Sequence, residues 1–381
     1  MGFLTPTNIQ AGCIPLILDG HDVIGHSQTG TGKTMAFGLP AVDLVNENNA
    51  EVQALVLCPT RELAVQAAAE ITRSASGKQG VKVVPIYGGA PSDRQIRELK
   101  KGAQIVIGTP GRVMDHMRRR TLKLGGLKLM VLDEADEMLN MGFREDIETI
   151  LEDVPEKRTT VLFSATMSKE IMSITKNYQN NAKLIKAVGT NLTVAGIEQK
   201  FISTKKITRI DALTRLVEYH KPKLSLVFCN TKKMVDELVE ELNHMGIKAA
   251  ALHGDMRQNG RDRVMNAFRS GSVKILVATD VAARGIDVDD VELVINFDIP
   301  IDDEYYVHRI GRTGRAGRNG LAVTFVNGRK QQKRIIEIQQ YTKCEIQQAA
   351  IPKEEDIIKI KSQEFIENIK KELNKADFYK Y

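Results

Sequence analysis

Residues 27–34 read SQTGTGKT, shortly after the apolar pair Val23-Ile24 and before a segment with a helical pattern. Glycines let backbone N–H groups wrap around an anion, and the start of a helix favours negative charge. The spacing predicts a phosphate-binding loop in which Lys33 reaches the β- and γ-phosphates and the Thr34 hydroxyl reaches Mg²⁺. The strict pattern has glycine where Ser27 stands, so a glycine-rich turn without function is the alternative. Gly-Lys-Thr at a strand-to-helix junction favours the phosphate site.

Short apolar runs rich in Val, Ile and Leu alternate with longer helical patterns along the chain. These runs lack polar alternation, as strands buried on both faces do. Strands that alternate with helices predict an α/β fold with parallel sheets covered by helices. The predicted strands are 54–57, 81–86, 104–107, 129–132, 160–163, 224–228, 248–252, 274–277, 293–296 and 322–326.

The same plan occurs twice in the chain. Residues 56–60, VLCPT, echo residues 227–231, VFCNT, and each stretch leads from a predicted strand into a helical segment. One short echo can also arise by chance. Between the halves, the segment 187–196 is small, polar and poorly periodic, as linkers are. We therefore predict a first domain at 1–188, a linker at 189–196, a second domain at 197–352 and a helical tail at 353–381.

The composition is that of an ordinary globular protein. The chain has 381 residues, 42% hydrophobic and 27% charged, which suggests two soluble domains. No apolar run reaches membrane-spanning length, and no signal peptide is visible. The four cysteines are widely spaced, so reduced thiols in a cytoplasmic protein are expected. A net charge of +6 permits a polyanionic partner, and the absence of Trp disfavours base stacking.

The tail has a different pattern from the rest. Residues 353–381 contain seven Lys and seven acidic residues. Phe365, Ile369 and Leu373 recur every four residues behind Ser362, a candidate N-cap, which indicates an amphipathic helix. We expect its apolar stripe to pack against the parent domain; the alternative is a surface for a partner.

Acidic residues follow a predicted strand at 133–136, which reads DEAD. Carboxylates at the carboxyl end of a strand lie where ligands bind in open α/β sheets. Asp133 is expected to hold Mg²⁺, through water because this ion keeps part of its hydration shell. Glu134 is expected to orient or deprotonate the attacking water. Acidic capping of a helix is the alternative.

Arginines recur every three residues near the end of the second half, at 309, 312, 315 and 318, with glycines at 311, 314 and 317 between them. Each glycine costs a helix roughly 1 kcal/mol relative to alanine. The interleaving therefore indicates close backbone approach, with guanidinium groups free to meet phosphate oxygens. The run Arg118-Arg119-Arg120 lacks such glycines and is interpreted as a solvated face. His253 is expected to make only a local hydrogen bond.

The order of these motifs resembles that of the DEAD-box RNA helicases of superfamily 2, bacterial type, from Gly2 to about Pro352. The resemblance implies two tandem RecA-like domains, each a parallel sheet flanked by helices, with ATP and Mg²⁺ as cofactors. It implies catalysis by Lys33, Asp133, Glu134, Arg312 and Arg315, the last two as arginine fingers. Residues implied to bind the nucleotide are Phe3, Gln10, Thr29, Gly30, Thr31, Gly32, Lys33, Thr34, Gly285, Asp287, Arg312 and Arg315.

Other motifs of the family imply RNA contacts and coupling. Coupling of hydrolysis to strand separation is implied for Asp136, Ser164, Thr166 and His308. RNA contacts are implied for Pro59, Thr60, Arg61, Gly88, Gly89, Thr109, Pro110, Gly111, Arg112, Gln258, Arg261 and Thr279. The partner would be single-stranded RNA or a short duplex, held by its backbone with little sequence preference. An RNA clamp with slow ATP hydrolysis and a DNA-acting motor are the alternatives.

Overall fold

A computed structural model describes residues 5–27, 31–186, 196–283, 288, 290–314 and 318–375 of the chain. The chain divides into two compact units, Met1–Thr190 and Asn191–Tyr381. Each unit contains one sheet of seven strands, and the strands within each sheet pair in parallel. The predicted linker falls almost wholly outside the described residues, so the predicted domain bounds stay a prediction.

The first unit has the strand order β3-β4-β2-β5-β6-β1-β7. Its strands are β1 (Val23–His26), β2 (Ala54–Leu57), β3 (Val83–Ile86), β4 (Ile105–Gly108), β5 (Leu129–Leu132), β6 (Thr159–Ser164) and β7 (Lys183–Lys186). Its helices are α1 (Asn8–Leu18), α2 (Lys33–Leu44), α3 (Arg61–Ser74), α4 (Ser92–Lys100), α5 (Pro110–Arg118), α6 (Ala135–Asn140), α7 (Arg144–Asp153) and α8 (Lys169–Tyr178), with a 3₁₀ turn at Ala75–Gly77.

The second unit has the strand order β10-β11-β9-β12-β13-β8-β14. Its strands are β8 (Ile197–Ser203), β9 (Leu224–Phe228), β10 (Ala249–Leu252), β11 (Ile275–Ala278), β12 (Val291–Asn296), β13 (Gly320–Val326) and β14 (Gln347–Ala349). Its helices are α9 (Arg209–His220), α10 (Lys232–His244), α11 (Gln258–Arg269), α12 (Asp280–Ala283), α13 (Asp303–Ile310), α14 (Gly328–Thr342) and α15 (Glu354–Lys375).

The two sheets repeat one topology, because adding seven to each strand number of the first order gives the second. The predicted echo lies at equivalent places, at the ends of β2 and β9. Thr60 and Thr231 each cap the helix that follows, accepting hydrogen bonds from Leu63 N at 3.3 Å and Met234 N at 3.2 Å. A side-chain oxygen at this position satisfies an N–H that the helix leaves free. The predicted duplication is thereby confirmed.

The central strands are buried on both faces, as their continuous apolar runs predicted. In β2, Leu55 and Leu57 face one core cluster while Ala54 and Val56 face the other. Helices on both sides supply the rest of each core. The result is an edge at the carboxyl ends of the strands where loops are free to carry polar side chains.

The helical tail differs from the prediction. Helix α15 begins at Glu354, so Ser362 lies inside it and is not its N-cap. Phe365 and Ile369 are 67% and 44% exposed, so the expectation that this stripe packs on the parent domain is wrong for them. The helix is instead fixed near its start, where Ile357 is buried and Glu354 meets Arg215 at 2.5 Å.

Two further findings concern the whole described part of the chain. All four cysteines carry free thiols, and Cys13, Cys58 and Cys229 are buried. No described helix combines the length and the apolar character that crossing a bilayer requires.

Candidate active site

The phosphate loop joins β1 to α2, and its last glycine has a left-handed backbone. Gly32 has φ +89°, and a Cβ there would lie 2.6 Å from Gln10 Nε2. Gln10 Nε2 donates to Gly32 O at 3.1 Å, and Thr7 N donates to Gln10 Oε1 at 3.0 Å. A carboxamide offers two N–H groups and two acceptor lone pairs, so one of each stays available to a base. Gln10 therefore braces the loop from α1.

Lys33 is the first residue of α2, and its side chain is buried. Its Nζ lies 3.9 Å from Asp133 Oδ1. This oxygen is buried and has no hydrogen-bond donor among the described residues. Burial raises the pKa of the Asp133 carboxyl, and the Lys33 ammonium opposes this rise. The site thus presents an ammonium for anions and a carboxylate oxygen that could hold a cation.

Glu134 stands beside this pair in an unusual backbone conformation. It has φ 51° and ψ 52°, in the left-handed region, and precedes the first turn of α6. Such a conformation costs a residue with a side chain on the order of 1–3 kcal/mol and is concentrated at functional sites. Glu134 is only 8% exposed, and its negative charge contributes to the raised pKa of the buried Asp133 carboxyl.

Asp136 connects the acidic motif to the segment after β6. Its Oδ2 accepts hydrogen bonds from Ala165 N at 2.9 Å and Thr166 N at 3.0 Å. Ser164 Oγ donates to Thr166 O at 2.6 Å. His26 Nε2 lies 3.0 Å from Ala165 O, a contact that the sequence did not indicate. The structure therefore brings together three of the residues predicted to couple hydrolysis to strand separation.

The three predicted RNA motifs of the first unit follow neighbouring strands, β3, β4 and β2. Thr60 and Arg61 follow β2, Gly88 and Gly89 follow β3, and residues 109–112 follow β4. The guanidinium of Arg61 lies 4.7 Å from the centroid of the Tyr87 ring. The motifs therefore form one continuous edge at the carboxyl ends of the sheet.

The arginine repeat of the second unit does not behave uniformly, and the prediction that its guanidinium groups are free is wrong for Arg309. That side chain is 1% exposed. Its Nη2 donates to Asp280 Oδ2 and to Asn230 Oδ1, both at 2.8 Å. Arg318 pairs with Asp290 at the surface. Arg309 Nη1 also donates to Asp298 O at 2.7 Å, so this side chain fixes the ends of β9, β11 and β12 together instead of meeting phosphate.

Arg312 is buried and hydrogen-bonded near the end of α13, and Gly314 shows the close backbone approach expected of the glycines. The Arg312 Nε donates to His308 O at 3.2 Å, which places both residues at the end of α13. Gly314 has φ +68°, and a Cβ there would lie 2.6 Å from Ile197 Cγ1, so the predicted close approach of the backbone is confirmed. Among the residues predicted to contact RNA, Arg261 Nη2 donates to Ala282 O of α12 at 3.4 Å.

Two further predictions, for the arginine run 118–120 and for His253, are confirmed. Arg118, Arg119 and Arg120 are exposed, as predicted for a solvated face. His253 Nε2 pairs with Asp236 Oδ1 at 2.9 Å, which confirms a local hydrogen bond. Some predicted nucleotide-binding residues lie outside the described residues, namely Phe3, Thr29, Gly30, Gly285, Asp287 and Arg315.

Comparison with known proteins agrees with this geometry. The DEAD/DEAH box helicase family model matches residues 7–174, and the helicase conserved C-terminal domain model matches residues 208–317. The DEAD-box ATP-dependent RNA helicase CshA of Geobacillus kaustophilus is 53% identical over 330 residues, which cover 87% of this chain and 70% of that protein. This chain is a DEAD-box helicase. The corresponding CshA of Bacillus subtilis is 45% identical over 381 residues, covering 100% of this DEAD-box chain and 77% of the relative.

A solved structure confirms the fold class of this DEAD-box helicase. S. cerevisiae Dbp5 bound to RNA and ADP BeF3 aligns with a TM-score of 0.84 and 34% identity, covering 95% of this chain and 94% of that one. The predicted architecture of two tandem RecA-like domains, each a parallel sheet flanked by helices, is thereby confirmed.

Proposed function

We propose that the two units of this ATP-dependent RNA helicase have different roles in ATP hydrolysis. The first unit binds ATP with Mg²⁺, and the second supplies Arg312 to the γ-phosphate once RNA is bound. Short RNA duplexes are separated locally, and hydrolysis releases the strand. The observation that carries the proposal is the pairing of Lys33 with Asp133 beside the phosphate loop, 3.9 Å apart and buried. Four free thiols support a cytoplasmic location.

The residues present suit a magnesium ion. Mg²⁺ takes oxygen ligands and keeps several waters. Asp133 Oδ1 is buried and receives no hydrogen bond from the described part of the chain, and the Thr34 hydroxyl is carried on the first turn of α2 next to Lys33. Asp133 and Thr34 would hold the ion, which supplies neutralisation of charge on the β- and γ-phosphates.

The chain's own groups account for the steps of hydrolysis. Lys33 binds the phosphate oxygens, and Glu134 orients the attacking water and accepts its proton. Thr166 and Ala165 are tied to the same motif through Asp136, so a shift at the phosphate site is transmitted to the segment after β6. Arg312 stabilises the negative charge that develops in the transition state.

RNA is proposed to bind through its phosphates and 2′-hydroxyl groups. The first unit offers backbone N–H groups and Arg61 along one edge, and the second offers Gln258, Arg261 and Thr279. Contacts of this kind position a strand without reading its bases. Closure of both units on one strand would bend it, and a duplex resists that bend.

The proposal predicts that ATP turnover rises with RNA of any sequence and much less with DNA of the same length. The half-saturating RNA concentration should increase steeply with salt, because phosphate contacts release counterions. Steady-state ATP hydrolysis with unrelated single strands at several salt concentrations is the measurement. Equal stimulation by DNA would favour a DNA-acting motor, and RNA binding without stimulation would favour a clamp.

A further inference from the structure

A buried glutamine lies beneath the exposed edge that carries the predicted RNA motifs of the first unit. Gln95 is on α4, outside every motif described above, and is 6% exposed. Its Nε2 donates to Tyr87 O at 3.0 Å. Its Oε1 lies 3.4 Å from Arg112 Nη1 and 3.2 Å from His116 Nε2. One side chain thus touches groups from the ends of β3 and β4.

These contacts bracket the glycine pair 88–89. The carbonyl of Tyr87, just before the pair, accepts from Gln95. The carbonyl of Ala90, just after it, accepts from Arg112 Nη1 at 3.2 Å. Gly88 and Gly89 are exposed between these anchors, and Gly89 has φ +76°. Glycine has more conformational freedom to lose than any other residue, so a two-glycine loop needs such anchors to keep one shape.

The hydrogen bonds around Gln95 determine which ring nitrogen of His116 carries the proton. Gln95 Oε1 is an acceptor, so His116 must carry its proton on Nε2 to donate to it. His116 Nδ1 then accepts from Thr121 Oγ1 at 2.8 Å. Burial lowers the pKa of His116, and the Arg112 guanidinium lowers it further, so the imidazole stays neutral. A neutral His116 with one proton on Nε2 keeps the carboxamide of Gln95 in the orientation that reaches Tyr87.

The ring of Tyr87 joins the third motif to the same support. Arg61, at the start of α3, stacks on this ring at 4.7 Å. The carbonyl of Tyr87 is therefore fixed by Gln95, and its ring is stacked against Arg61. All three predicted RNA motifs of the first unit converge on Tyr87 and Gln95.

We propose that Gln95 is a positioning residue for RNA binding: it fixes the glycine pair 88–89, Arg112 and, through Tyr87, Arg61 in one arrangement before RNA arrives. Gln95 need not touch RNA itself. Preorganisation of this kind removes the entropic cost of ordering the loop when the ligand binds. The inference rests on the proposed function, since it assigns a support to the same RNA-binding edge.

The test uses Gln95→Leu in the full chain, with Gln79→Leu as the matched control because Gln79 is exposed and lies outside the network. Loss of these buried hydrogen bonds should raise the half-saturating RNA concentration about tenfold. Turnover at saturating RNA and affinity for a fluorescent nucleotide should stay near wild type. A merely unstable variant would show the reverse, with lower turnover per molecule and an unchanged half-saturating concentration.

Two further variants keep the test decisive. Gln95→Glu keeps the shape of the side chain and its acceptor contacts with Arg112 and His116, but it cannot donate to Tyr87 O. It should therefore weaken RNA binding, and it replaces Gln95→Leu as the test if that variant does not fold. His116→Phe removes the support of the carboxamide and the contact with Thr121 but leaves the Gln95 side chain in place, so its effect on RNA binding should be smaller. The double variant should bind RNA about as weakly as Gln95→Leu alone, because His116 acts on the RNA-binding edge through Gln95.

A second readout does not depend on RNA. Amide hydrogen exchange at residues 88–90 of the free protein should accelerate about tenfold in Gln95→Leu and stay at the wild-type rate in Gln79→Leu. If both exchange and the half-saturating RNA concentration match wild type in Gln95→Leu, this inference is overturned. A wild-type chain whose ATP turnover ignores RNA would instead overturn the proposed function, while the exchange result still decides the bracing of the loop.

Discussion

Arg312→Ala will bind ATP near wild-type affinity and lose RNA-stimulated hydrolysis by about 10³–10⁵-fold. The reason is that an arginine finger stabilises charge that appears only in the transition state, so its removal spares ground-state binding. In the structure Arg312 is 8% exposed, and its Nε donates to His308 O at the end of α13. Steady-state ATP hydrolysis with single-stranded RNA, together with fluorescent-nucleotide binding, measures both effects.

Arg318→Ala is the matched control for this variant. Arg318 belongs to the same three-residue repeat but pairs at the surface with Asp290, and its side chain is 57% exposed. An exposed ion pair contributes little, so this change should leave turnover within about twofold. Wild-type RNA-stimulated turnover in Arg312→Ala would remove this residue from the transition state.

Glu134→Gln will keep nucleotide and RNA binding and reduce hydrolysis by about 10²–10⁴-fold, the contribution typical of a general base. The amide has the same shape as the carboxylate but cannot accept a proton. The left-handed backbone at Glu134, with its φ of 51°, should persist, because glutamine has the same size and shape as glutamate. Single-turnover hydrolysis with bound RNA isolates the chemical step from product release.

Glu145→Gln, on an exposed position of α7, serves as the control for the loss of one negative charge. It should hydrolyse ATP at the wild-type rate. A Glu134→Gln protein that binds ATP and hydrolyses it as fast as wild type would exclude Glu134 as the base. A variant that fails to bind ATP would show that the carboxylate acts in binding instead.

The parts of the fold that the sequence predicted well are those set by local pattern. The strands at 54–57, 129–132 and 224–228 have the predicted bounds, because strands buried on both faces are continuous apolar runs. The interior strand β8 was missed, and so were the edge strands β7 and β14. The residues of the two edge strands read KLIK and QQA and are largely exposed, so backbone pairing on one side defines them and their side chains give little signal.

In the candidate site, too, the sequence predicted what local pattern sets and missed the contacts between distant residues. The phosphate loop and the acidic motif are contiguous in sequence and lie at strand ends, so their places could be predicted. Arg309 meets Asp280 from 29 positions away, and Gln95 meets Arg112 from 17 positions away. Such contacts depend on which strands are neighbours, and spacing along the chain does not reveal that order. The prediction that the apolar stripe of α15 packs against its own domain was wrong, because periodicity predicts an apolar face without showing what covers it.

The central claim is that ATP and RNA together bring the two units into one hydrolysis site. Energy transfer between dyes on the full chain tests this most directly, with Lys123→Cys and Lys330→Cys as exposed labelling positions, one in each unit, and Cys344→Ser to remove the partly exposed thiol. The account predicts a new transfer efficiency only when ATP, Mg²⁺ and single-stranded RNA are all present, and a lasting one in the Glu134→Gln background. An efficiency that is the same with and without these ligands, or that changes fully with ATP alone, would contradict it.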